Sequence, residues 1–74
     1  MATWKSSLTV GALIRGQVRR QIKRYAFDRG YSIRIDEDKG FLDSTMYVTI
    51  GDIPESSLAS VGRDIQSWMR AVNS

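Results

Sequence analysis

Along residues 4–10, WKSSLTV, the side chains Trp4, Ser6, Leu8 and Val10 alternate with Lys5, Ser7 and Thr9, the two-residue repeat of a strand. The same stretch also suits an extended arm, or an early start of the next element with Ser7 or Thr9 as its cap; residues 1–10 are therefore read as an N-terminal strand or arm. From 11 to 29 the repeat lengthens. Ile14, Val18, Ile22, Tyr25 and Ala26 fall on one stripe of a helix, and Arg15, Arg19, Arg20, Lys23, Arg24 and Phe27 fall on the other side. Gly30 is placed to take the left-handed conformation after the last helical residue, with Tyr31 folding back on the final turn.

Residues 31–50 predict a β-hairpin, YSIRID (31–36) and FLDSTMYVTI (41–50) joined by EDKG. Setting Asp36 opposite Phe41 puts Ile35 against Leu42, Ile33 against Ser44 and Tyr31 against Met46 on one surface, with Arg34 against Asp43 on the other. Gly40 suits the positive φ of a three-to-five-residue loop. The acids Asp36, Glu37 and Asp38 would then form a solvated tip, and Phe41 and Tyr47 would share the face opposite Ile33 and Ile35. A second helix is expected over 53–72: Asp52 can cap it, Pro54 fits its first turn and Glu55 completes a capping box. Its stripe of Leu58, Val61, Ile65, Trp68, Met69 and Val72 reads as core. Gly62 interrupts that stripe, which implies the close approach of another backbone.

These elements define a single α+β domain over 1–74, two helices packed on one face of a small, mainly antiparallel sheet in the order (β)αββα. Without the first strand, the order helix, hairpin, helix is similar to that of the small head-to-tail joining protein of lambdoid phages, an analogy of architecture that brings no shared motif and no function.

Composition narrows the chemistry. With 74 residues and neither Cys nor His, the chain has no disulfide or zinc staple for its small core, so self-association as a homodimer is expected. General acid–base and nucleophilic catalysis lack their usual groups, and a non-enzymatic protein with no cofactor, metal or small-molecule substrate is expected. Neither a phosphate-binding glycine motif nor a calcium loop is present in the sequence. The opening residues lack the charged leader and long apolar run of a signal peptide, and no stretch approaches a membrane span; a cytoplasmic setting with no membrane partner is expected.

Charge is the informative asymmetry. Residues 1–27 carry six cations and no acid, whereas residues 28–74 carry five cations against eight acids, a net −3. A helix surface that merely dissolves in water mixes signs, and like charges at i, i+4 repel. Arg15, Arg19, Arg20, Lys23 and Arg24 therefore point to an acidic partner, with nucleic acid slightly favoured and Phe27 a stacking contact. The opposing expectation is a protein–protein interaction or assembly module of phage or accessory type, self-association included, in which Trp4, Phe41 and Tyr47 supply the interface. There the N-terminal arm, through Trp4, could instead fold over that patch within one subunit.

Overall fold

The computed structural model describes residues 1–72, with Lys39 as backbone only; the last two residues of the expected 1–74 unit lie outside the described residues. Strand β1 (Ala2–Gly11), helix α1 (Arg15–Asp28), strands β2 (Ser32–Lys39) and β3 (Asp43–Ile53), a 3-10 turn (Glu55–Ser57) and helix α2 (Leu58–Val72) follow one another. The expected βαββα order and α+β class are present. The N-terminal segment is a strand: β1 pairs antiparallel with β3, as β2 does on the other side, giving the sheet order β1-β3-β2.

Alternation in β3 decides where the core lies. Ser44, Met46, Val48 and Ile50 point to the covered face, while Tyr47 points away. Val18, Ile22 and Ala26 of α1 and Val61, Ile65 and Met69 of α2 close over that face, with Trp4, Leu8, Ile33 and Ile35 packed around them. The opposite face of the sheet carries Thr3, Lys5, Ser7 and Thr9 from β1 and Ser32, Arg34, Asp36 and Asp38 from β2, and is open.

Helix α1 ends as its sequence implies. Gly30 has φ 73°, its N–H donates to the Phe27 carbonyl at 3.1 Å, and the Tyr31 N–H donates to the Ala26 carbonyl at 2.9 Å. That pair of bonds is a Schellman motif, which satisfies two terminal carbonyls. Its start is Arg15 rather than residue 11, because β1 continues through Gly11 and a turn carries the chain into the helix.

The hairpin register differs from the expected one. Ile33 lies opposite Ile50 and Ile35 opposite Val48, six residues farther along β3 than Ser44 and Leu42. A shift by an even number preserves the faces, so the core side was identified although its partners were not. The observed register matches isoleucine with isoleucine and valine, and it draws Asp36, Glu37 and Asp38 into β2 instead of a solvated tip. Arg34 consequently faces Thr49, not Asp43, and its Nε sits 3.2 Å from Asp36 Oδ2. The remaining turn is tight: the Gly40 N–H donates to the Asp43 carbonyl at 2.8 Å. Gly40 does not have the positive φ expected of it; a Cβ there would lie 2.6 Å from the Asp43 carbonyl oxygen, so close approach is what requires glycine.

Near Ile53 the second helix also departs from expectation. Asp52 is in β3 with φ 59°, not at a helix cap, and it sits where β1 and β3 lose register between Ala2 and Trp4. Asp tolerates the left-handed region, and the extra β3 residue makes a bulge that turns Ile53 into the core beside Ile50. Helical structure begins at Glu55 after Pro54, which makes no side-chain cap hydrogen bond, so no capping box forms. Gly62 faces a side chain rather than a backbone: its Cβ would lie 3.1 Å from the Trp4 indole nitrogen, which fixes α2 above β1.

Candidate functional site

The outer side of α1 gathers Arg20, Lys23, Arg24 and Phe27 at helical spacings of three and four. All are exposed, Phe27 to 83%. The residues that build this surface also build the core, because Val18, Ile22 and Ala26 on the opposite stripe bind the helix to the sheet. The first turn carries no acid, and Ile14 at its cap makes no side-chain hydrogen bond; the positive end of the helix dipole therefore adds to the Arg15 charge.

Neutralisation by the protein's own carboxylates is partial. Arg19 Nη1 lies 3.5 Å from Glu37 Oε2, and Arg24 Nε lies 4.0 Å from Asp28 Oδ2. The first contact is the more consequential one, since the Glu37 side chain is only 10% exposed and its Oε1 has no hydrogen-bond partner. Arg19 is thus committed to the sheet, whereas the Arg24 pair is solvated and contributes little. Among the described residues Arg15, Arg20 and Lys23 have no carboxylate within 4.0 Å.

The expected interface trio is dispersed. Trp4 lies on the covered face under Gly62, Tyr47 is half-exposed on the open face, and Phe41 belongs to neither because it sits in the hairpin turn. The N-terminal segment, being the strand β1, does not fold over Tyr47 as an arm. Phe41 instead has new company: the Ala12 N–H donates to the Leu42 carbonyl at 3.1 Å, tying the β1–α1 turn to the hairpin tip, where Leu13, Phe41 and Leu42 are almost fully exposed.

A second feature had no whole-pattern signal in the sequence. Between α1 and α2 lies a cleft of about 300 Å³ lined by Gln21, Arg24, Tyr25, Arg29, Asp64 and Trp68 among others. The Tyr25 hydroxyl donates to Asp64 Oδ2 at 2.7 Å, and the Arg29 guanidinium stacks 3.8 Å from the Tyr25 ring centroid. The i, i+4 spacing of Tyr25 and Arg29 was readable; Asp64 comes from 39 residues away and was not. Burial first, then the Asp64 bond, push the Tyr25 phenol up from 10.0 to about 12. A raised folded pKa means that the folded chain holds more protons than the unfolded one between about 10 and 12, so this contribution to stability is complete below that window and is lost as pH rises through it. An absorbance titration should therefore show one of the three tyrosines ionising near 12. Asp64→Ala should lower that value without returning it to 10.0, because burial remains.

Compared with known proteins, the chain matches no family model, no curated protein and no solved structure. No helix among the described residues is long and apolar enough to cross a membrane.

Proposed function

We propose that the protein is a small non-catalytic binding module whose exposed α1 surface engages nucleic acid. The observation that carries this reading is the group Arg15, Arg20 and Lys23, three cations without an intramolecular carboxylate partner among the described residues, two of which, Arg20 and Lys23, share the exposed side of α1 with the ring of Phe27. Phosphates would supply the missing counter-charge, and Phe27 would offer a face on which an unpaired base can stack. The site is smaller than the whole basic stripe, because Arg19 already serves Glu37.

Fluorescence anisotropy with a generic duplex and a generic single strand tests it. If these three cations each meet a phosphate, affinity between 50 and 200 mM salt should fall about 40-fold for the duplex and about 20-fold for the single strand. Arg20→Glu with Lys23→Glu should abolish binding, and Phe27→Ala should weaken the single strand by about 1–3 kcal/mol. Salt-independent binding, or binding unchanged by the double reversal, would overturn the reading.

The exposed Leu13, Phe41 and Leu42 at the opposite end of β1 from Trp4 favour a second reading, docking on a protein partner through the hairpin tip. It is separable from the first: Phe41→Ser should remove such docking and leave nucleic-acid binding intact.

A further inference from the structure

The two edges of the sheet are built differently. β2 presents Arg34, Asp36 and Asp38 outward and turns Glu37 inward; outward charges and an inward-pointing charge are both devices that stop an edge from recruiting another strand. β1 has neither. Over its 10 residues it carries one charge, Lys5, and no proline, and its covered side displays Trp4, Leu8 and Val10.

Layer geometry adds to this. Two helices of 14 and 15 residues cover only three strands. Helices pack about 8–10 Å apart and strands about 4.8 Å apart, so two helices have room beneath them for four strands. Among the described residues the order βαββα with the sheet β1-β3-β2 sets β3 between the other two strands and leaves the outer side of β1 unpaired. The free place adjoins β1, whose Trp4 and Leu8 remain only partly buried against the core. A symmetric copy of this chain fits that place badly. Gly62 over Trp4 fixes α2 above β1, and pairing two β1 edges would set two α2 helices above strands about 4.8 Å apart, closer than helices pack.

We propose that the free edge of β1 is a strand-acceptor site that takes one extended segment of a partner protein. The segment runs antiparallel to Trp4–Val10, as both existing pairings run antiparallel, so main-chain hydrogen bonds supply affinity. Alternate side chains of the segment are apolar, entering beneath α2 beside Trp4 and Leu8. The intervening ones are polar, with an acid opposite Lys5 on the open face. This inference is independent of the α1 reading, since it uses another element and another chemistry.

The test supplies the strand covalently. A segment alternating Val with Thr, and with Glu set opposite Lys5, is appended to the full chain through a flexible Gly/Ser linker; tethering gives it an effective concentration in the millimolar range. Relative to the same appendage with prolines at alternate positions, the melting temperature should rise by about 5 °C. New amide protection should appear along β1 and not β2. Exchanging the appended Glu for Lys should lose part of the gain, and Lys5→Glu should restore it; Lys5 is exposed on the open face, so this variant keeps its fold. No gain over the proline control, protection on β2, or indifference to the charge exchange would each overturn the proposal, and a chain that dimerises through β1 with a copy of itself would do so as well.

Discussion

Ile50→Ala should leave the protein largely unfolded on modest warming. Ile50 is fully buried in β3, among the described residues the only strand with neighbours on both sides, and it stands between Trp4 of β1 and Ile33 of β2. Both helices close over the face it occupies. Truncation there removes apolar contact and opens a cavity that a two-sided sheet cannot collapse around, at about 2–5 kcal/mol. A chain of this size has only about 4–11 kcal/mol in hand, so the melting temperature should fall by at least about 10 °C. Circular dichroism at fixed protein concentration reads the effect. Leu13→Ala, at a side chain exposed to solvent, should change stability by less than about 0.5 kcal/mol. If the two variants melted together, Ile50 would not be the centre of the core.

Arg19→Glu should produce the second large loss, and for a reason unrelated to any ligand. It would place a carboxylate beside Glu37, whose side chain is 10% exposed and whose Oε1 is already without a partner, while Arg19 itself is 47% exposed. Breaking a fully buried pair costs about 3–5 kcal/mol; discounting for the solvated arginine end leaves about 2 kcal/mol. Arg20→Glu, one position along on the exposed surface, should cost less than about 0.5 kcal/mol. Glu37→Gln in the Arg19→Glu background should recover more than half of the loss in urea unfolding. Equal stability of the two single variants would show that Glu37 does not depend on Arg19. The same contrast dictates how binding is probed: reversal at Arg19 confounds affinity with unfolding, whereas reversal at Arg20 and Lys23 does not.

Legibility followed the range of the interactions involved. The stripe of Val18, Ile22 and Ala26, the Schellman ending at Gly30 and the alternation of β3 were readable because each is set by neighbours within a few positions. The hairpin register was not. Pairing Ile33 with Ile50 instead of Ser44 depends on which apolar residues meet beneath the helices, and a turn of Gly40 to Asp43 emerges only once that match is made. The candidate site divided along the same line. Exposure of Arg20, Lys23 and Phe27 followed from the helical wheel. The diversion of Arg19 to Glu37 did not, since it required knowing that an acid assigned to a loop tip lies inside a strand.

What the sequence by itself determined, then, is the kind and order of the elements after residue 10, the inward face of each, and an α1 surface rich in cations with no acid before Asp28. Those properties are periodic or compositional, and a periodic property is local. Only the tertiary structure decided the place of β1 beside β3, the register of the hairpin, the scattering of Trp4, Phe41 and Tyr47, and which strands form the densely charged and the sparsely charged edges of the sheet. These depend on which distant side chains fill the same space, and packing in three dimensions selects among arrangements that the periodicity of a single chain leaves equivalent.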